Sequence, residues 1–528
     1  MKILNPILKG FNPDPTMCKA KESFFIATST FQWYPGITIY SSHDLANWDI
    51  VSTPLTEQLG FKLLGVDDSA GIWAPNLVYE NDMFYLSYTI VKSATGVYYD
   101  MENYITTSAS IEGPWKVPTQ VNSGCFDPSL FFDDEKLYML AKIVDHRYEP
   151  TNSYIENYSG IIMQELNPIS FQLVGEHKIV SYGTKIGGEE GPQMFKRNGY
   201  YYLNIAEGGT EFNHQTTVLR AENMNGPFEV HPQNPLLKSE PKSHLQKSGH
   251  SSFVNIGNDE WVISHLCSRP IKSTAKNIVG KECCPLGRET AIQNIKWEND
   301  WPYVVGGKAP NIQFENFNKA QVLETKSFVF DCKTLPGKEF LSLRQDISKF
   351  NHVDSKGLRM KGRDSLMSKF DVNMYAYRPK KMNFKTSIDI NFQPKNYLQM
   401  SGMTLYYDTE NYITIFVTHD KTYGKCIKVE AINHRKYSTL ELIPIKLEND
   451  IVKLIITVDD DLINFNYQIQ NQEIKTINCQ YHSSYLSDDY ILLQKPSFFT
   501  GMMIGFYCCD LTGGHEKSTV NNFRYEEV

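Results

Sequence analysis

Three acidic residues of this chain sit in short, stiff turns. They are Asp14 in Asn12-Pro13-Asp14-Pro15, Asp127 in Cys125-Phe126-Asp127-Pro128-Ser129, and Glu190 in Gly188-Glu189-Glu190-Gly191-Pro192. A proline fixes its own φ and pushes the residue before it toward extended backbone, so a carboxyl held there can be aimed at little ordering cost. A single Asp-Pro is most often only a turn. Three such carboxyls between strand-like runs could share one site. The chemistry that uses such a set is hydrolysis of a glycosidic bond, in which one carboxyl protonates the leaving oxygen and another activates water or attacks the sugar. The acid must keep its proton near neutral pH, which takes burial or a neighbouring negative charge, and a third carboxylate can supply that charge. The sequence has no H-E-x-x-H, G-x-S-x-G, P-loop or G-x-G-x-x-G motif to suggest a rival chemistry. Its 13 histidines include no i, i+4 pair on a plausible helix beside a third ligand, which speaks against a zinc enzyme.

The elements that must position these groups read as strands. Helical periodicity is scarce, and short alternating or aromatic runs broken by Gly, Pro, Asn and Asp dominate, so the chain is all-β. An aromatic-rich strand recurs about every 60 residues: Phe24–Thr28, Phe84–Tyr88, Leu137–Leu140, Tyr201–Asn204 and Trp261–Ser264. The first four are followed by a bulky aromatic and then Val, as in Trp48-Asp49-Ile50-Val51 and Phe228-Glu229-Val230. Five copies of a multi-strand unit predict a five-bladed β-propeller over residues 1–305. Taking the aromatic strand as the innermost of each blade, Asp14, Asp127 and Glu190 all fall just before it, in units one, three and four. A common position in the repeat puts all three around one central cavity. Residues 306–325 read as a linker. Beyond it, alternating strands such as Phe384–Ile390 and Val452–Val458 predict a jelly-roll or concanavalin-like β-sandwich over 326–528.

Composition narrows the partners. The 528 residues carry a net charge of −8 with no basic block, which argues against nucleic acid or an anionic membrane. No apolar run is long enough to span a bilayer. The N-terminus lacks signal-peptide character, and the ten cysteines form no C-x-x-C pair, so a reducing cytoplasm is expected.

Several stretches together resemble the β-xylosidases of glycoside hydrolase family 43. They are Asn5–Leu8 with Gly10–Pro15, Ala27–Gly36, Gly71–Asn76, Phe126–Ser129, Glu190–Pro192, Leu286–Thr290 and Phe499–Gly501. The likeness spans the whole chain, sandwich included. It implies an exo-acting, inverting hydrolase that releases xylose from the non-reducing ends of short β-1,4-xylo-oligosaccharides. The alternatives are an enzyme that is mainly an α-L-arabinofuranosidase, or a non-catalytic carbohydrate-binding protein. By the same likeness Asp14 is the general base, Glu190 the general acid, and Asp127 the group that raises and orients the acid. Inversion requires base and acid roughly 6.5–9.5 Å apart. Glu189, the neighbour of Glu190, is expected to be a charge either in solvent or behind the residues that touch substrate. Arg288 is expected to reach the catalytic centre, and Phe31, Trp73 and Phe499 to wall the sugar subsite, with Phe499 supplied by the sandwich. His250 would lie near the propeller axis, as a core histidine or beside water or a divalent cation, with no cofactor required. The likeness also implies a dimer or tetramer. Two positions depart from the family: Val144 stands where a Trp commonly precedes Asp-His-Arg, and Gln193 where a His follows Glu-Gly-Pro. Both concern the pocket wall and bear on substrate choice.

Overall fold

The computed structural model describes residues 2–94, 99–144, 158–315, 326–441, 443–470, 472–493 and 498–528. The first part is a five-bladed propeller of antiparallel, mainly four-stranded sheets. Their innermost strands are β1 (Thr16–Ala20), β2 (Gly71–Glu80), β3 (Cys125–Asp133), β4 (Glu190–Arg197) and β5 (Gln246–Gly257). Each contacts the next and β5 returns to β1, closing the ring.

The aromatic repeat marks the second strand of each blade, not the innermost one. Phe24–Thr28 lies in Ser23–Thr28, which pairs with β1, and Tyr201–Asn204 lies in Tyr200–Glu207, which pairs with β4. The physical reason is burial. A second strand has a partner strand on each side and packs both faces against neighbouring blades, so it reads as apolar. The innermost strands line the axis instead. There many of the buried residues are polar, among them Asn76, Asp127, Ser129, Ser248 and His250, with Asp14 just before β1. Polar side chains on the axis make these strands look like loops in the sequence.

Val304 ends the last blade strand, Trp301–Val304, and Gln313–Glu315 then pairs with Lys2–Leu4 at the N-terminus. Part of the stretch read as a linker is thus a strand that ties the two ends of the propeller together. Residues 316–325 lie outside the described residues.

The second part is a sandwich of two large antiparallel sheets. The inner side chains of both, such as Met403, Leu405, Ile456 and Phe506, form the largest apolar core of the molecule. One sheet ends in a strand that belongs to the propeller. Trp33–Tyr34 pairs with Phe340–Leu343, with Tyr34 opposite Ser342 and Trp33 opposite Leu343. Phe11, Phe31 and Trp33 are buried in the sandwich core rather than in a blade. The two parts therefore share one sheet and one core. No helix among the described residues is long and apolar enough to cross a membrane.

Candidate active site

Each innermost strand begins with the same local device. Aligned on Pro15, Pro75, Pro128 and Pro192, with Ser251 in the fifth blade, the residue just before is Asp14, Ala74, Asp127, Gly191 or His250. In blades two to five the pairing register with the second strand shifts at this point, as between Phe126 and Ser129 and between Glu190 and Gln193. Such bulges re-aim side chains beside active sites. Asp14, Asp127, Gly191 and His250 adopt positive φ (52°, 52°, 56° and 46°). For non-glycine residues this costs about 1–2 kcal/mol each. The turned backbone points these positions at the axis.

A pocket opens there. Two adjacent positions of the repeat supply its lining, both in blades two and three and one in each of the others: Asp14 in blade one, Trp73 and Ala74 in two, Phe126 and Asp127 in three, Glu190 in four, His250 in five. Glu190 is therefore one residue earlier in the repeat than Asp14 and Asp127. It shares its position with Phe126 and Trp73, and the expectation of an identical place for all three carboxyls is corrected by one residue. Loops supply the remaining lining, Phe31, Thr210, Arg288 and Phe499.

The charged floor is buried throughout. Arg288 Nη1 donates to Asp14 Oδ1 at 2.6 Å, and Ser29 Oγ donates to Asp14 Oδ2 at 2.7 Å. Arg288 Nη2 reaches across to the Phe499 carbonyl of the sandwich at 3.1 Å. Asp127 Oδ2 accepts the Gly191 N–H at 2.9 Å, which fixes the backbone beside Glu190. Glu190 Oε1 is buried and has no protein hydrogen-bond partner among the described residues. Burial, reinforced by the charge of Asp14, pushes the Glu190 carboxyl up to about 7. Burial and the charges of Glu190 and Asp14 hold Asp127 well above the usual carboxylate range. Burial lowers His250, so its ring is neutral.

The walls are aromatic. Trp73 meets Phe126 and Phe499 edge to face, with ring centroids 5.7 and 5.4 Å apart, and Phe31 stacks on Phe499 at 6.1 Å. The Arg288 guanidinium lies 5.1 Å from the centre of the Phe31 ring. Ser69 anchors two walls at once: its carbonyl accepts from Trp73 Nε1 at 2.9 Å and its hydroxyl from the Phe499 N–H at 3.0 Å. Apolar faces beside a few fixed polar groups suit a sugar ring, whose C–H face packs on aromatics while its hydroxyls are hydrogen-bonded.

All eight residues singled out in the sequence converge on this pocket: Asp14, Asp127, Glu190, Arg288, His250, Phe31, Trp73 and Phe499. Of the two expectations for Glu189, the solvated one fails: it is buried behind the pocket lining and forms an ion pair with Lys142, itself fully buried. A carboxylate under the pocket floor cannot be left bare, which is why it has a cation beside it. Phe126, Ser29 and Lys142 were missed. Phe126 could have been found from its place one residue before Asp127. Nothing local to Lys142 marks it, because its partner comes from another blade. Gln193 is half-buried in β4, opposite Asn204. The side chain of Val144, and Asp145–Arg147 entire, lie outside the described residues. Among the described residues no three His, Cys, Asp or Glu side chains converge to hold a metal ion.

A propeller whose axis holds three buried carboxyls and an arginine under aromatic walls has the architecture of a glycoside hydrolase. The chain belongs to the glycosyl hydrolases family 43, whose model matches residues 3–302, and residues 329–526 match the beta xylosidase C-terminal concanavalin A-like domain. It is 38% identical to the beta-xylosidase of Bacillus subtilis strain 168, over the full length of both chains. It is 35% identical to xylosidase/arabinosidase 43B of Humicola insolens, covering 100% of this chain and 98% of that one. Among solved structures, the xylan beta-1,4-xylosidase of Bacillus halodurans C-125 superposes with a TM-score of 0.93 at 35% identity, covering 99% of this chain and 100% of that one.

Proposed function

We propose that the chain is an exo-acting β-xylosidase that removes xylose, with inversion, from the non-reducing ends of short β-1,4-xylo-oligosaccharides. One observation carries the reading: a buried carboxyl with an unpartnered oxygen, Glu190, shares a small pocket with a second carboxylate, Asp14, that is gripped by an arginine. Glu190 donates its proton to the glycosidic oxygen, as its raised pKa suits at neutral pH. Asp14, oriented by Arg288 and Ser29, takes a proton from water attacking the opposite face of the anomeric carbon. Asp127 holds the Gly191 backbone beside the acid and crowds the pocket with a third carboxyl, which disfavours ionisation of the group as a whole. The small aromatic pocket, closed by Phe499 from the sandwich, suits a chain end rather than the middle of a polymer. The reaction is assigned to the chain's own side chains, without a cofactor.

NMR of xylobiose hydrolysis tests the whole reading. α-Xylose should appear first from the non-reducing unit, and Asp14→Ala and Glu190→Ala should each slow turnover by at least about 100-fold with the fold intact. β-Xylose as the first anomer rules out inversion, and near-normal turnover in either variant discards the assignment. A second reading makes α-L-arabinofuranosidase the main activity; it is favoured by the relative from Humicola insolens, named for both sugars. The ratio of kcat/KM on the two aryl glycosides decides between them. All ten cysteines are free, which supports a reducing, cytoplasmic setting. Assembly as a dimer or tetramer is also proposed, and light scattering checks it.

A further inference from the structure

Lys142 lies on Lys136–Val144, the second strand of blade three, directly opposite Phe126 in register. The corresponding second-strand partners are Thr89 opposite Trp73, Ala206 opposite Glu190 and Leu266 opposite Gly249. All are fully buried, and those three are uncharged. A lysine at this layer is an anomaly of the repeat, because burying an ammonium is costly unless it is paired. Its Nζ donates to the side-chain Oε1 of Glu189, the residue just before Glu190, and the side chains of both are almost inaccessible. Blade three thus reaches under blade four at the residue next to the acid.

We propose that Lys142 is a positioning residue of the catalytic centre: by neutralising Glu189 from beneath, it lets Glu190 face the pocket without a bare carboxylate at its back. The inference rests on the assignment of Glu190 as the acid. The charged and titratable groups around Glu190 are Asp14 from blade one, Asp127 and Lys142 from blade three, Glu189 on its own strand, and Arg288 and His250 from blade five. Of these, Lys142 and Glu189 form the neutral pair. Burial lowers the lysine to about 8, with Glu189, Glu190 and Asp127 opposing that shift, so at neutral pH it is still largely a cation. Removing either member leaves one charge beside the acid, and the two removals have opposite signs. Without Lys142, the Glu189 carboxylate disfavours ionisation of Glu190. Without the Glu189 charge, the ammonium favours it.

The experiment is the pH dependence of kcat/KM on xylobiose, where the protonated acid sets the alkaline limb. Lys142→Met should move that limb up, and Glu189→Gln should move it down, each by on the order of one unit. The double variant, again neutral, should return it toward the parent. A purely structural pair would lower the unfolding temperature in the single variants and leave the limb in place. Limbs that stay put in folded, active variants, or that move the same way in both, overturn the proposal. Each single variant is an independent arm, so one that fails to fold leaves the other to decide. Loss of the acid assignment itself reads differently: Glu190→Ala would then keep its xylobiose turnover.

Discussion

Glu190 carries the tension of this site. Its carboxyl titrates at about 7 in the folded chain, against about 4.3 for an exposed glutamate. Between those values the native state holds a proton that the unfolded state has released. The stabilising contribution of the neutral acid is complete below the unfolded pKa and is lost as pH rises through the folded one. Above pH 7 the fold therefore bears a buried charge, at a cost on the order of a few kcal/mol. Glu190→Gln is neutral at every pH. It should melt at a higher temperature than the parent at pH 8, with the gain fading by about pH 4.5. Calorimetry at the two pH values checks this, and a gain independent of pH would contradict it. Asp127 is raised for the same reasons, burial first and then its neighbours' charges, so Asp127→Asn should shift stability with the same sign. At this scale the sequence was informative where a residue's neighbours in the chain restrain it. Asp14 and Asp127 announce themselves through proline. Lys142 and the buried state of Glu189 depend on contact between blades, and no local signal encodes that.

The element that does the positioning is the first turn of each innermost strand, and blade four shows how little freedom it has. Gly191 sits at φ +56°, and a Cβ added there would meet the His250 ring at 2.8 Å. Its N–H is also the donor to Asp127. Gly191→Ala must either push His250 aside or unwind the left-handed turn, and both displace Glu190, the residue before it. Gly191→Ala is expected to fold, because the disturbance is confined to one bulge, and to lose at least about ten-fold in kcat, since small misplacements of an acid are costly. Circular dichroism with single-turnover kinetics checks both halves; an unchanged kcat would mean that the turn does not aim the acid. The propeller was legible in the sequence because the second strands are apolar and regularly spaced. Their rank within the blade was not, since the axis-facing strands trade hydrophobic alternation for polar side chains. The off-by-one place of Glu190 follows from the same blindness: a bulge changes register without changing the spacing of the repeat.

At the scale of the whole molecule, the sandwich is part of the active site's framework. Arg344, fully buried on the sandwich side, donates from Nη2 to Asp68 Oδ1 at 2.7 Å and from Nε to the Val66 carbonyl at 2.9 Å. The neighbouring Ser69 holds Trp73 and Phe499, one wall from each part. The joint and the pocket wall are thus adjacent residues of one corner. The family resemblance implied Phe499 at the pocket, but the shared sheet at Trp33–Tyr34 had no signal, because two residues are too short a strand to read from pattern. If the joint and the wall are one unit, damage to the first must appear in the second. Arg344→Met leaves Asp68 buried without its guanidinium, which costs about 3–5 kcal/mol in comparable buried pairs. The variant should unfold in a single transition at lower temperature, because sheet and core are common to both parts. Its KM for xylobiose should rise several-fold while the alkaline limb of the pH profile stays in place, since no carboxyl on the floor has moved. Two separate transitions, or a weakened fold with an unaltered KM, would mean that the sandwich stabilises the propeller without shaping the pocket.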